Sequence, residues 1–299
     1  MIWLIGHKGM LGSELARLFD QKNLEWRGSD REVSITTGKD SLFAFGRTLG
    51  PVAFIVNCAA YTAVDKAEDD AEACKRLNTL GAANVADTAT ALGAVLIQLS
   101  TDYVFDGKGI KEGNGVARPY REDDSTGPAG VYGLTKRDGE TEVLARCKDS
   151  YIIRTAWLYG EHGNNFVATM LRLMNERKTV SVVDDQKGTP TNAGDLAAAI
   201  AALIEQRNAG KNIPCGIYHY TNEGAISWYD FARAIYAGGR GTGLLAGECF
   251  IKPCTTDAYP TRARRPAYSV LDKSKIKAAL GIAIPRWDES LASYLQKLK

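Results

Sequence analysis

The chain opens on an apolar run, IWLI, that passes directly into glycines at positions 6, 9 and 12 and then into an apolar-periodic stretch, MLGSELARLF. Strand, glycine-rich turn and helix in that order limit the fold more than any other feature. Gly6 allows a tight strand-to-helix turn, Gly9 lets backbone amides approach a pyrophosphate, and Gly12 lets helix and strand pack closely. An anion is favoured there because a helix N-terminus offers unpaired N–H groups and the positive end of its dipole. Met10 and Leu11 occupy the same turn and join the three glycines as candidate cofactor-binding residues. A plain glycine-rich turn is the competing reading, and the strand-to-helix context favours dinucleotide binding.

Eighteen residues after Gly12 comes Asp30, at the expected end of a second strand. A carboxylate there can accept hydrogen bonds from the adenosine ribose hydroxyls. Arg31 beside it can pair with a 2′-phosphate, so NADH and NADPH both stay open as cofactors. Strand and helix signals then alternate through the first half. IWLIG, LEWRGSD, FIVNCAA, VLIQLST and YIIRTAWLYG read as strands, with helices near 11–21, 71–91 and 132–146. The pattern predicts an α/β, Rossmann-type doubly wound parallel sheet, with ligands outside the carboxyl ends of the strands. The second half predicts a smaller lobe: a helix at 165–177, a strand at 180–183, a helix from Asp195, a strand at 216–220 and a helix from Trp228. The 237–247 run, AGGRGTGLLAG, reads as a mobile loop. The domains expected are 1–160 for the dinucleotide, with segments near 195–220 returning to it, and 161–299 mainly for substrate.

Thr101 and Asp102 end the fourth predicted strand, and YGLTK follows some thirty residues later. Tyr132 and Lys136 stand four apart in a predicted helix and share one face. A phenol titrates near pH ~10, too high for easy proton exchange at neutrality, and an ammonium one turn away favours the phenolate. Thr101 is placed to hydrogen-bond the same reacting oxygen. Alone, a Tyr–Lys pair at this spacing is also read as a half-exposed helical pair.

Further runs add to these: NCAAYTAVDKAE, LSTDYVFDG, PYREDD, VYGLTK, RTAWLYG, NNFV, VVDDQKGTPT and GIYHYTNEGAISWYDFA. Together they resemble the dTDP-4-dehydrorhamnose reductases, a branch of the extended short-chain dehydrogenase/reductase family. The likeness runs from Met1 to the RRPAYSVLD segment at 264–272.

The resemblance implies reduction of a dTDP-linked 4-keto-6-deoxy sugar by NADPH or NADH. It implies Thr101, Tyr132 and Lys136 as catalytic residues, with Tyr132 the proton donor and Lys136 also holding the nicotinamide ribose. Ala59, Ala60 and Tyr61 would line the cofactor channel. Asp102 would help bind the sugar or else cap the next turn, and Trp157 would wall the sugar pocket or else fill the core. Gln186, Thr189, Thr191 and Arg265 are candidates for nucleotide recognition, each also readable as a surface or turn residue. Asn78 matches a largely structural helix asparagine. The resemblance leaves room for Mg2+ at a subunit contact.

With 37 Lys and Arg against 35 Asp and Glu, the net charge of +2 points to neither nucleic acid nor membrane as a partner. The partner expected is a small nucleotide sugar, with the chain a monomer or homodimer. Six cysteines include no CxxC pair, and His7, His162 and His219 show no metal-ligand spacing, so the reading is a reducing cytoplasm, no disulfide framework and no metal ligand set. No signal peptide precedes the first strand, and the apolar 196–204 stretch is too short to span a bilayer.

Two stretches depart from the family pattern. The segment KGIKEGNGVAR before Pro119 is longer than the short link expected beside the active site, and VSITTGKDS follows Asp30 where an acidic run is usual. Two other readings stand: a non-catalytic nucleotide-binding regulatory subunit, and a nucleotide-sugar epimerase or dehydratase of the same fold. Tyr103, not Glu, follows Asp102, which counts against the dehydratase.

Overall fold

The computed structural model describes every residue except Asn114, which lies in the longer 107–118 segment. Six strands form one sheet: β1 (Ile2–Ile5), β2 (Trp26–Ser29), β3 (Phe54–Asn57), β4 (Val95–Thr101), β5 (Ser150–Thr155) and β6 (Gly216–His219). The order across it is β6-β5-β4-β3-β1-β2, and every pairing is parallel. Parallel sheets are covered on both faces, so their strands carry apolar side chains on both sides. In β1, Ile2 and Leu4 enter one core with the Met10–Gln21 and Ala193–Asn208 helices, while Trp3 and Ile5 enter a second on the opposite face. The chain is thus a Rossmann-type doubly wound sheet with a smaller C-terminal lobe.

The strand order reverses around β1, which lies between β2 and β3. The crevice at the carboxyl ends of β1 and β3 is therefore the topological switch point, where such sheets take ligands. A third core, built from the Phe166–Glu176, Trp228–Thr242 and Trp287–Lys297 helices, holds the C-terminal lobe together. β6 adds to the sheet beside β5 even though it comes late in the chain.

Several local expectations are corrected. The predicted loop at 237–247 is helical as far as Thr242. Its glycines serve close packing: a Cβ on Gly238 would stand 2.5 Å from Leu295 Cδ1, and one on Gly239 would stand 2.9 Å from Leu245 Cδ1. The helix stops at Gly243, whose φ of +81° only glycine adopts without cost. The run YIIRTAWLYG is not one strand. It breaks at Trp157, held at φ +47°, and resumes as Leu158–Tyr159, paired with Thr191–Asn192. The helix expected over 71–91 contains a π turn at Arg76–Leu80. The strand Thr179–Val183 pairs with Phe250–Cys254, and Lys39–Thr48 is helical, neither of which the sequence pattern predicts.

The base of the longer 107–118 segment is tied down. Tyr268 N donates to the Gly107 carbonyl at 2.9 Å, and Gly109 N donates to the Tyr120 hydroxyl at 2.7 Å. Among the described residues no helix is long and apolar enough to cross a membrane.

Candidate active site

The glycine turn has the shape its sequence requires. Gly6 has φ +78°, and a Cβ there would stand 2.9 Å from Ala59 N at the end of β3. A Cβ on Gly12 would come within 2.1 Å of the Gly6 carbonyl oxygen. Gly9 caps the Met10–Gln21 helix and brings no side chain to its N-terminus, so the first-turn amides stay open to an anion. The Leu11 side chain is buried in the core, which leaves only its backbone to face a ligand. This cradle suits a dinucleotide pyrophosphate.

Asp30 lies next to the turn. Its carboxylate accepts hydrogen bonds from Lys8 N at 3.2 Å and Arg31 N at 2.9 Å, while the Arg31 side chain is exposed. Lys8 pairs loosely with Glu32 at 3.8 Å. Ala59 and Ala60 follow β3, and Ala59 N donates to Asn57 Oδ1 at 3.1 Å. Tyr61 is fixed by Asn78 in the π turn: Tyr61 N donates to Asn78 Oδ1 at 2.8 Å, and Asn78 Nδ2 donates to the Tyr61 carbonyl at 3.2 Å. The same amide donates to Thr135 Oγ1 at 3.2 Å, tying this loop to the Val131–Arg146 helix. π turns recur at functional sites because they re-aim side chains within a helix.

The structure brings Thr101, Asp102, Tyr132 and Lys136 together at the carboxyl end of β4. Thr101 Oγ1 donates to Asp102 Oδ1 at 2.9 Å and accepts from Tyr103 N at 3.2 Å. Burial pushes the Tyr132 phenol well above its usual range, with the neighbouring Thr101 hydroxyl acting in the opposite direction. Burial also lowers Lys136 to about 8, with Glu140 one turn on pulling upward. Its ammonium donates to the Leu99 carbonyl at 2.6 Å. The group countering the rise in the phenol is therefore Thr101, whereas the Lys136 ammonium is directed to β4. Burial raises Asp102 to about 6, opposed by the hydroxyls of Ser269 and Thr101. Its Oδ2 is buried without a hydrogen-bond partner.

The remaining candidates spread over the seam between lobe and sheet. Trp157 stacks on Trp228, and Gly188 lies against its indole. Thr189 Oγ1 donates to the Gly224 carbonyl at 2.7 Å and Thr191 Oγ1 to the Ala156 carbonyl at 2.7 Å, so both hydroxyl protons are spent on backbone. Gln186 Nε2 donates to Thr256 Oγ1 at 3.1 Å. Arg265 donates to the Tyr103 hydroxyl at 3.2 Å and to Asp65, and the Tyr103 ring meets Tyr132 edge-on with centroids 5.5 Å apart. Arg265 thus stands one aromatic ring away from Tyr132, with Thr191 and Gln186 in other contacts.

Sequence reasoning missed three parts of this neighbourhood. Glu140 forms a buried ion pair with Arg154 at 2.7 Å and accepts from Ser100 Oγ at 2.5 Å. Its spacing, four residues after Lys136, is the signal that could have found it. His219 lies beyond Arg154, and burial with the nearby guanidinium lowers it to about 3, so it is neutral at physiological pH. Ser269, within RRPAYSVLD, reaches the site only because the chain folds back beside Lys187, whose carbonyl accepts from Ser269 N at 2.8 Å. Among the described residues no group of three or more His, Cys, Asp and Glu is placed to hold a metal ion.

Known proteins share this fold. The family described as RmlD substrate binding domain matches residues 1–299. A dTDP-4-dehydrorhamnose reductase of Streptomyces griseus is 45% identical over 293 residues, covering 97% of this chain and 91% of its own. The crystal structure of a Clostridium acetobutylicum dTDP-4-dehydrorhamnose reductase is 38% identical and superposes with a TM-score of 0.88, covering 99% of each chain. The Bacillus anthracis dTDP-4-dehydrorhamnose reductase, solved in complex with NADP, gives 32% identity and a TM-score of 0.89, covering 99% of this chain and 98% of its own. A match across all 299 residues, joined to relatives of this identity and coverage, means that the chain belongs to the dTDP-4-dehydrorhamnose reductase family of the extended short-chain dehydrogenase/reductases.

Proposed function

We propose that the protein reduces dTDP-4-dehydro-L-rhamnose to dTDP-L-rhamnose with NADPH or NADH, Tyr132 donating the proton. The observation that carries this reading is that Thr101 ends β4, Lys136 donates to the Leu99 carbonyl of β4 and the Tyr132 ring meets Tyr103 two residues after Thr101, all on the same sheet edge as the glycine turn. A bound nicotinamide would supply the hydride. Gly6, Gly9, Met10, Leu11 and Gly12 would hold its pyrophosphate, Asp30 and Arg31 its adenosine end, and Ala59, Ala60 and Tyr61 its channel. Lys136 would hold the ribose.

The chain's own chemistry is acid–base. As the sugar C4 oxygen gains negative charge, the Tyr132 O–H proton moves to it, and Thr101 orients that oxygen and then the phenolate. Burial keeps the phenol protonated until the acceptor is more basic than a ketone. Asp102 and Trp157 would contact the sugar, with Arg265, Gln186 and Thr191 on the nucleotide side. Binding energy from the remote nucleotide then orients the 4-keto group, which is why free sugars should not react. The small-molecule substrate is the only partner this reading requires, whether the chain is monomeric or homodimeric.

The test is oxidation of NADPH and NADH by the protein supplied with freshly made dTDP-4-keto-6-deoxy sugar. Tyr132→Phe should lower turnover about 10²–10⁴-fold with cofactor affinity nearly intact, because only the donor is lost. A wild type that binds dinucleotide yet reduces no 4-keto sugar nucleotide would favour the regulatory-subunit reading.

A further inference from the structure

Tyr103 follows β4 in a short helical turn, Asp102–Val104, and is held on several sides. Its N–H donates to Thr101 Oγ1 at 3.2 Å. Its carbonyl lies under the first turn of the Val131–Arg146 helix, where a Cβ on Gly133 would stand 2.1 Å from the oxygen. Its ring packs against the Tyr132 ring, with centroids 5.5 Å apart and planes at 73°. Its hydroxyl accepts from Arg265 Nη1 at 3.2 Å. Both ends of the Tyr103 backbone are thus engaged, and the side chain is fixed between Tyr132 and Arg265.

Arg265 reaches this place from late in the chain. Its guanidinium also pairs with Asp65, which accepts from Ala263 N at 3.1 Å, and Arg262 nearby pairs with Asp69. Asp65 and Asp69 therefore hold the 262–265 segment against the stretch that follows Tyr61, and Tyr103 supplies the guanidinium with its second partner. An ion pair alone leaves a guanidinium able to pivot about a half-exposed carboxylate, whereas a second partner fixes the plane of its fork. Tyr103, Gly130 and Arg265 line one crevice, so the phenol, the guanidinium and the start of the Val131–Arg146 helix share one opening.

We propose that Tyr103 is a positioning residue that joins the two halves of the reaction: its hydroxyl seats Arg265 for the nucleotide, and its ring holds the Tyr132 ring in place for proton donation. This role rests on the reductase reading above, and Tyr103 acts through its two neighbours. Edge-to-face aromatic pairs have a preferred geometry, so the Tyr103 ring restrains the tilt of Tyr132 as well as filling space. A reacting group displaced by about 1 Å can lose about a hundredfold in rate, so this restraint reads out in kcat. A guanidinium without its second partner holds an anion less well in the ground state and the transition state alike, which reads out in KM. One side chain therefore carries two kinetic signatures, one for its hydroxyl and one for its ring.

Steady-state kinetics of the full-length protein on freshly made dTDP-4-keto-6-deoxy sugar separate them. Tyr103→Phe keeps the ring and removes the acceptor, so KM for the sugar nucleotide should rise about three- to tenfold with kcat within about twofold. Tyr103→Met fills the space without a ring, so kcat should also fall about tenfold or more. Cofactor affinity, read by NADPH fluorescence titration, should stay near the wild-type value in both. A role in stability alone would not divide KM from kcat in this way. In an Arg265→Ala background the KM effect of Tyr103→Phe should vanish, because the hydroxyl acts through that guanidinium. Full additivity of those two changes, or a Tyr103→Met enzyme with the kcat of Tyr103→Phe, would overturn the proposal. Should the Met variant not fold, the cycle of Tyr103→Phe with Arg265→Ala decides: coupling supports the link, and additivity sinks it. A wild type that reduces no 4-keto sugar nucleotide would instead remove the reductase reading on which the role rests.

Discussion

The indoles of Trp157 and Trp228 lie 9° from parallel with ring centroids 3.5 Å apart, and Gly188 packs against Trp157. A Cβ on Gly188 would stand 2.5 Å from Trp157 Cε2, so no side chain fits unless the ring moves. Moving it breaks the stack with Trp228, and Trp157 is already in a left-handed backbone conformation that bulky residues rarely take. Gly188→Ala should therefore destabilise the protein by about 1–3 kcal/mol and shift its tryptophan emission. If Trp157 walls the sugar pocket, the Michaelis constant for the sugar nucleotide should rise as well. Unchanged emission and stability would mean that the ring is free to turn.

If Lys136 holds the nicotinamide ribose as proposed, cofactor affinity should depend on pH. Burial lowers its ammonium to about 8, so it is charged below that pH and neutral above it. Dinucleotide affinity should therefore weaken as pH rises through 8, and Lys136→Met should bind weakly with no such dependence. Fluorescence titration with NADPH between pH 6 and 9.5 reads both. The same shift bears on stability. The unfolded chain holds this proton up to about pH 10.4 and the folded chain only to about 8, so Lys136 should make stability rise with pH between those values. That slope should be missing in Lys136→Met.

The Glu140–Arg154 pair should behave as a unit. Both side chains are buried, and removing one leaves the other charge without this partner, at a cost of about 3–5 kcal/mol. Glu140→Gln with Arg154→Met should cost clearly less than the sum of the two single changes in urea denaturation at pH 7. Simple additivity would show the two residues to be uncoupled.

At the adenosine end, Arg31→Ala should weaken NADPH by about 1–3 kcal/mol and leave NADH nearly unchanged, because only the former carries a 2′-phosphate. Asp30→Ala should weaken both cofactors, NADH more. Its carboxylate also anchors the turn through the amides of Lys8 and Arg31, so its loss loosens the cradle as well as the ribose contact. Equal effects of Arg31→Ala on the two cofactors would remove Arg31 from their discrimination.

The sheet and its ligand edge were legible in the chain because they depend on local patterns. Continuous apolar runs such as IWLI mark strands buried on both faces, and the glycines at 6, 9 and 12 mark a turn in which a Cβ has no room. The Tyr132–Lys136 spacing is likewise local, since one helical turn fixes it. Loops were less readable. The glycines of the 237–247 run suggested a break, but a helix packed tightly against Leu295 and Leu245 needs the same residues.

Tertiary structure decided which neighbours each of these residues meets. It gave the Lys136 ammonium to the Leu99 carbonyl, set Arg265 against Tyr103 and Asp65, and committed the Thr189 and Thr191 hydroxyl protons to backbone. It also brought Ser269 beside Asp102 across more than half the chain. Sequence periodicity sets which face of an element a side chain occupies. Its hydrogen-bond partners and its degree of burial, and hence its proton affinity, depend on segments far away in the chain that only folding brings alongside.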